Sequence, residues 1–255
     1  MKKTFYSNGK LLITGEYVVL DGAIALALPT KYGQNLIIEE AENNLIQWKS
    51  FDIDDSIWFE DNIPFSSVIR KERFDDNHSI KNTLIEILHE AYLMNSDFIT
   101  NSKGHVITTE LTFPKFWGLG TSSTLINNIA QWLKIDAYLL LKRSFGGSGY
   151  DLACAQNNVA ITYQLINEKP IVKKITFEPS FSSEIHFVYL NRKQSSKTAI
   201  ASYYNNQINI GKIIPIITEI TKTVINAEDS KSFALALKKH EIAMNNVLEL
   251  HTVQE

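Results

Sequence analysis

The segment that most constrains this chain is P-K-F-W-G-L-G-T-S-S-T-L-I at residues 114–126, where two closely spaced glycines precede four hydroxyl residues. Glycine lets the backbone turn tightly and approach a ligand, and hydroxyl side chains at a helix start cap its free N–H groups. The segment therefore predicts a strand end, a glycine turn and a helix that runs to about Leu133. Such a helix start suits phosphate, because its N–H groups and the helix dipole both favour an anion.

This pattern differs from two common phosphate loops. It lacks the Gly-Lys-Ser/Thr of the Walker A motif, and residues 121–123 stand where the Rossmann GxGxxG places its last glycine. A serine hydroxyl at this position can reach a magnesium ion that bridges phosphates. The alternative interpretation is a capped helix after a glycine turn, with no ligand.

Two further segments place charged residues beside glycines. Lys10 and Glu16 each follow a glycine, and Asp151 follows the turn G-G-S-G at 146–149. Each has an ordinary interpretation, Lys10 as a solvated charge and Asp151 as a helix cap, whereas a Glu16 amid buried strands requires a partner. Taken together, a cation, a phosphate loop and an aspartate on a glycine turn are the groups that phosphoryl transfer requires.

Hydrophobic periodicity predicts mainly sheet in the first third of the chain and helices late. Residues 80–94 repeat with helical spacing, residues 105–112 alternate as a strand, and Asp21-Gly22 predicts a hairpin between strands at 17–20 and 24–28. This order favours an α+β fold over a doubly wound parallel sheet. The other predicted strands are 11–14, 35–39, 45–49, 56–59, 159–164, 171–177 and 185–190, and the other helices are 136–143, 197–204, 211–226 and 231–249.

Composition narrows the class of protein. The chain has 255 residues with 44% hydrophobic content, which is enough for one large domain or for two small ones around a cleft. The net charge of −3 offers no excess for a polyanion, so we expect no nucleic-acid partner. Cys154 is the single cysteine, no leader is recognised and no apolar stretch is long enough to span a membrane. We therefore expect a cytoplasmic protein without a membrane partner, either a monomer or a homodimer.

The three glycine-marked segments resemble, in order, the motifs of the GHMP kinase superfamily. Gly9-Lys10 to Gly15-Glu16-Tyr17 looks like its first motif, G-L-G-T-S-S-T at 118–124 like its second, and G-S-G-Y-D-L-A at 147–153 like the segment with the catalytic aspartate. The last is similar to the G-Y-D-I-A signature of a bacterial subgroup.

This resemblance implies the GHMP kinase fold. That fold joins an N-terminal half like domain 2 of ribosomal protein S5 to a ferredoxin-like C-terminal half, and we expect domains at 1–170 and 171–255. The third glycine-rich motif of the family has no counterpart after Gly211, so we expect the C-terminal half to be incomplete.

The resemblance also implies ATP and Mg²⁺ as cofactors. Lys10 and Asp151 would be catalytic: Lys10 would offset charge on the transferred group, and Asp151 would orient or deprotonate the acceptor. The glutamate that holds magnesium in mevalonate kinase is not evident here, so Ser122 with Asp151, or mainly ATP, would hold the metal. The ATP phosphates would be held by Gly118, Leu119, Gly120, Thr121, Ser122 and Ser123.

We expect a small acidic acceptor. Gly-Glu-Tyr before Val-Val-Leu is closer to mevalonate and phosphomevalonate kinases than to galactokinases, and Tyr17 in place of histidine favours the phosphomevalonate type. The basic segment at 192–197 would start a helix that binds a carboxylate or phosphate, and the alternative is a solvated turn. The expected substrate contacts are Glu16, Tyr17, Ser148, Ser196 and Lys197.

Other functions stay open. They are a GHMP-fold protein that binds without catalysis, a kinase of homoserine or a sugar, and a relative of diphosphomevalonate decarboxylase. The presence of Lys10, Ser122 and Asp151 together argues against a pure binding module. The decarboxylase is disfavoured, because its first motif usually lacks the Gly-Lys-x-x-x-x-Gly-Glu pattern found at 9–16.

Overall fold

The computed structural model describes residues 2–190, 203–204 and 210–248. The chain forms two compact units, Met1–Gly9 with Thr30–Asn158, and Lys10–Pro29 with Val159–Glu255. Strands β1 (Lys3–Thr14) and β2 (Ala25–Glu40) each contribute residues to both, so neither unit is one continuous stretch of sequence. The domain boundary expected near residue 170 stays a prediction.

The first unit contains a mixed sheet. Its strand order is β4 (Ile57–Pro64), β3 (Leu45–Phe51), β5 (His105–Leu111) and then the second part of β2. Strands β3 and β5 are parallel, whereas β3 with β4 and β5 with β2 are antiparallel. The helices of this unit are α1 (Phe65–Ile69), α2 (Ser79–Met94), α3 (Asp97–Thr100), α4 (Thr121–Leu133), α5 (Ala137–Ser144) and α6 (Tyr150–Ala155).

One hydrophobic core joins this sheet to its helices. Strand residues alternate between faces, so alternate side chains of β3 and of the second part of β2 enter the core, and α2 contributes an apolar stripe with helical spacing. Asp136 starts α5 by accepting hydrogen bonds from the N–H groups of Tyr138 (2.8 Å) and Leu139 (3.1 Å). Buried core residues include Leu36, Ile38, Ile46, Trp48, Leu84, Leu88, Ile126, Ile129, Leu140 and Leu152.

Among its described residues, the second unit combines strands with two long helices. The first part of β2 pairs antiparallel with β6 (Ile161–Ile166), and β6 pairs antiparallel with β7 (Lys169–Lys174). The helices are α7 (Ile210–Ile225) and α8 (Ser230–Leu248). Two apolar clusters hold this unit together, one around Val18, Tyr203, Ile217 and Met244, the other around Leu26, Phe181, Val224 and Phe233.

Two predicted strands are wrong. Residues Val18–Asp21 form a 3₁₀ helix, because Val18 and Val19 are buried on its one side and the left-handed Gly22 (φ 94°) ends it. Asp21-Gly22 therefore does not make a hairpin. Residues 185–190 alternate like a strand but have no strand partner among the described residues, and Val188 is 78% exposed.

The other predicted elements are confirmed, but three strands are longer than expected: 11–14 is the end of β1, 24–28 and 35–39 are parts of the single strand β2, and 56–59 is the start of β4. Most of the helix expected at 197–204 lies outside the described residues. The predicted α+β class is confirmed. In the ranges that the structure covers, no helix is both long and apolar enough to cross a bilayer.

Candidate functional site

The glycine loop, residues 118–120, joins a short 3₁₀ helix (Lys115–Trp117) to α4. Gly118 and Gly120 have φ angles of 74° and 93°, a left-handed conformation that costs other residues about 1–2 kcal/mol. Leu119 between them is buried and anchors the loop. A Cβ atom added at Gly118 would meet nothing within 4 Å, so backbone conformation and not crowding requires glycine, and the space beside the loop is open.

The hydroxyl groups at the start of α4 do not cap it as the sequence predicts. The Ser123 hydroxyl donates backwards to the Gly120 carbonyl (2.9 Å), and the Thr124 hydroxyl lies 2.8 Å from Oε1 of Gln34. Within the described part of the chain, no side chain caps this helix, and the hydroxyls of Thr121 and Ser122 form no hydrogen bond. First-turn N–H groups and two hydroxyls are therefore available to an anionic ligand.

A buried polar network holds α4 from behind. The Ser7 hydroxyl donates to Asn128 (2.7 Å) and accepts from Asn127 (2.8 Å), while Asn128 donates to the Gln34 carbonyl (2.9 Å). Gln156, which directly follows α6, donates to the side-chain oxygen Oδ1 of Asn127 (3.1 Å). Because each broken bond would leave a buried polar group unsatisfied, at a cost of about 1–3 kcal/mol, this network fixes α4 against the end of α6.

Asp151 lies in the first turn of α6. Gly149 (φ 85°) is the N-cap residue of that helix, so the interpretation of Asp151 as the cap is wrong. Oδ1 of the half-buried Asp151 accepts from the Leu152 N–H (3.0 Å), and the described residues offer this carboxylate no second hydrogen bond. Burial, Cys154 and the charge of Asp151 raise the pKa of Tyr138. The half-buried Ser148 precedes Gly149 in the same turn.

Lys10, Glu16 and Tyr17 form a second group, in the second unit. Lys10 lies inside β1 and not at its entrance, and Glu16 lies in the turn after that strand, not within a hairpin. The Glu16 side chain reaches the surface, yet the surrounding protein excludes enough water to raise the pKa of its carboxyl, while Lys10 and a hydrogen bond from Tyr17 oppose that rise. The Tyr17 ring stacks on Tyr203, with centroids 6.1 Å apart.

Comparison with known proteins relies on structure alone. No protein-family model and no curated protein matches the sequence. The mevalonate kinase of Methanococcus jannaschii aligns with 99% of this chain and 81% of its own, at 14% identity and a TM-score of 0.68. The phosphomevalonate kinase of Streptococcus pneumoniae, in complex with phosphomevalonate and AMPPNP, aligns with 96% of this chain and 80% of its own, at 14% identity and a TM-score of 0.63.

A third structure has a sugar as its ligand. The galactokinase of Lactococcus lactis complexed with galactose aligns with 99% of this chain and 77% of its own, at 10% identity and a TM-score of 0.63. The chain has the GHMP kinase fold. Identities this low establish the fold and not the acceptor, because one fold hosts many reactions.

Within this GHMP kinase fold, the three sequence motifs occupy defined places. The first covers part of β1 and the turn after it, the second covers the glycine loop and the start of α4, and the third covers the turn into α6. The structure thus groups the predicted residues in two sets, one in each unit. Ser196 and Lys197 lie outside the described residues.

The oxygen atoms of the candidate site are compatible with a bound magnesium ion. In the described ranges, no three His, Cys, Asp or Glu side chains cluster as a metal site. Mg²⁺ usually keeps several waters and binds through one or two protein oxygens together with substrate phosphates. The Ser122 hydroxyl, which is without a hydrogen bond in the described structure, fits that mode.

Sequence reasoning missed His240. Its Nε2 accepts the Gly15 N–H at 2.9 Å, across 225 residues of sequence. The only signal was a histidine on a predicted helix beside Lys238 and Lys239, which is typical of a solvated face.

Proposed function

We propose that this chain is an ATP-dependent kinase of a small acidic molecule. The observation that carries the proposal is the start of α4, where uncapped N–H groups and the hydroxyls of Thr121 and Ser122 face no partner among the described residues. A nucleotide triphosphate needs such donors, and a helix dipole adds to their attraction. The residues proposed to hold the phosphates are Gly118, Leu119, Gly120, Thr121, Ser122 and Ser123.

Exposed aromatic side chains beside the glycine loop suit the nucleobase of ATP. Trp117 precedes Gly118 directly and lies edge-on to Tyr32, with centroids 5.8 Å apart, and both rings are more than two-fifths exposed. The ammonium of Lys115 lies 4.8 Å from the ring centre of Phe116. Flat exposed rings next to an anion site can stack on a base, which stabilises binding by about 1–3 kcal/mol per base.

Asp151 and Lys10 take the chemical roles in this proposal. Since Oδ1 of Asp151 is engaged by the Leu152 N–H, its other oxygen is the one that would accept the proton of an alcohol acceptor. An acceptor that is already a phosphate needs no strong base, and Asp151 would then orient it. Lys10 would offset the negative charge of the transferred phosphoryl group. Magnesium, held by Ser122 and the phosphates, would supply further charge neutralisation.

We infer mevalonate or phosphomevalonate as the acceptor, and a place in the G-Y-D-I-A subgroup. Support comes from Tyr17 within Gly-Glu-Tyr, and from structural neighbours whose names include mevalonate and phosphomevalonate kinases. Glu16, Tyr17 and Ser148 are the proposed contacts of the acceptor, and Ser196 with Lys197 would bind its anionic group.

A parallel acceptor screen tests this proposal. The purified protein is offered MgATP with mevalonate, phosphomevalonate, homoserine or galactose, and ADP release is measured for each. We expect one of the first two to give turnover, because the acceptor contacts proposed above suit an acidic molecule. Turnover only with galactose would contradict the inferred acceptor but not the proposed kinase activity. No turnover in a protein shown to bind ATP would favour a non-catalytic binding protein.

Adjacent serines at the start of α4 give a matched pair of variants. We expect Ser122→Ala to lower kcat/KM for MgATP by about 10- to 100-fold without loss of thermal stability, because its hydroxyl forms no hydrogen bond within the described residues and would serve only the nucleotide and its metal. Ser123 would hold phosphate through its backbone N–H, which alanine retains. Ser123→Ala therefore removes only the side-chain hydrogen bond to the Gly120 carbonyl, and should instead lower the free energy of unfolding by about 1 kcal/mol. Steady-state kinetics at varied MgATP and thermal unfolding measure both. Equal kinetic effects of the two substitutions would contradict the assignment of Ser122.

A further inference from the structure

The turn after β1 contains a closely packed glycine and a non-glycine residue with a positive φ angle. Gly15 has a φ of +89°, and a Cβ atom there would lie 2.7 Å from the Cβ of Ala25 and 2.8 Å from its Cα. Tyr17, two residues on, is also left-handed, with a φ of 59°. A positive φ at a residue other than glycine, as at Tyr17, persists only where the surrounding structure holds it. The residue between Gly15 and Tyr17 is Glu16, so the direction of its carboxylate depends on what fixes this turn.

Side chains of α7 and α8 hold the turn at three points. The Gly15 N–H donates to Nε2 of His240 on α8 at 2.9 Å. The buried Thr221 hydroxyl on α7 lies 2.8 Å from the Thr14 hydroxyl and 3.0 Å from the Ile24 carbonyl. The Thr218 hydroxyl accepts from the Ile24 N–H at 3.1 Å. The threonines therefore fix the two ends of the loop, and His240 fixes the Thr14–Gly15 peptide, one residue before Glu16.

His240 can play this part only as a neutral ring. A histidine nitrogen accepts a hydrogen bond when it carries no proton, so Nδ1 must be the protonated nitrogen here. Burial lowers the pKa of His240 to about 4, and the neutral ring is therefore the form present at neutral pH.

We infer that His240 is a positioning residue: by holding the peptide between Thr14 and Gly15, at the start of the turn, it sets the direction of the Glu16 carboxylate and the Tyr17 ring toward the acceptor. The inference rests on the proposed function, which places Glu16 and Tyr17 at the acceptor. If the Gly15 N–H lost its partner, the Thr14–Gly15 peptide would be free to rotate. The Glu16 carboxylate would then move away from the charge of Lys10 and lose its hydrogen bond with Tyr17. The effect falls on acceptor binding and not on ATP.

Three variants test this role. His240→Phe fills the space but accepts no hydrogen bond, His240→Gln retains an accepting oxygen, and Thr218→Val removes the acceptor at the far end of the loop. For His240→Phe we expect the acceptor KM to rise about tenfold, with kcat and the KM for ATP within about twofold of wild type, as one lost hydrogen bond implies. His240→Gln should recover most of that loss. Thr218→Val should lower stability and leave both KM values unchanged.

Hydrogen exchange of the Gly15 amide gives a readout that needs no turnover. In wild type we expect this amide to be protected, and in His240→Phe to exchange at least about tenfold faster, because its partner is gone. An unprotected Gly15 amide in wild type would overturn the inference about His240 but not the proposed function. Equal rises of both KM values in His240→Phe would have the same consequence. Absence of turnover with any acceptor in wild type would instead overturn the proposed function.

Discussion

Replacement of Asp151 by asparagine is expected to lower kcat by about 10²- to 10⁴-fold for an alcohol acceptor, with little change in the KM for ATP. The reason is that the amide keeps the size of the carboxylate and can still accept from the Leu152 N–H, but it cannot take a proton. Lys10→Met should lower kcat by about 10²- to 10³-fold, because it removes a charge that stabilises the transition state. Turnover under saturating substrates measures both effects.

Exposed residues provide the matched controls. Asp54→Asn and Lys103→Met make the same chemical changes at the surface, where Asp54 is exposed and Lys103 pairs with Glu42 in an ion pair open to water. Both controls should retain wild-type turnover. A loss in Lys10→Met alone would indicate an acceptor that is already a phosphate and needs no base. Rates within a few-fold of wild type for both Asp151→Asn and Lys10→Met would remove these residues from the mechanism.

Acid is expected to destabilise the folded protein through His240. Its pKa is lowered by burial from an ordinary 6.5 to about 4, so between these values the unfolded chain binds a proton that the folded chain does not. The contribution of His240 to the free energy of unfolding is therefore fully present above pH 6.5 and falls as the pH drops toward 4. By pH 4.5 this single group should cost about 2–3 kcal/mol of the free energy of unfolding.

Urea unfolding of wild type and His240→Phe at two pH values isolates this effect. At pH 7.5 the variant should be less stable by about 1 kcal/mol, because the Gly15 N–H has lost its acceptor. At pH 4.5 the order should reverse, since only wild type carries the protonation penalty. His105, whose pKa burial also lowers, is present in both proteins and cancels in the difference. Glu16, which follows Gly15 in sequence, and Lys239 and Glu241, which flank His240 on α8, are charged residues that both proteins share. A stability difference that is the same at both pH values would contradict the prediction.

Several features of this protein follow from local chemistry alone. Gly118 and Gly120 were predicted to turn the chain into a helix, and both have the left-handed backbone that glycine adopts without strain. The helical spacing of residues 80–94 predicted α2, and the alternation of 105–112 predicted β5. These signals need no distant partner, because they depend on backbone sterics and on which side chains share one face.

Other features depend on contacts between residues far apart in sequence, and the folded chain alone reveals them. Val18 and Val19 have strand-like side chains, yet the apolar cluster that Val18 joins with α7 and α8 accommodates them as a 3₁₀ helix. The sequence does not distinguish the adjacent hydroxyls of Ser122 and Ser123. The helix geometry turns the Ser123 hydroxyl to the Gly120 carbonyl and leaves the Ser122 hydroxyl without a hydrogen bond in the described structure. His240 finds the Gly15 N–H across 225 residues, a pairing that no local pattern encodes, because the need to satisfy a buried donor is met by whatever acceptor the fold brings near.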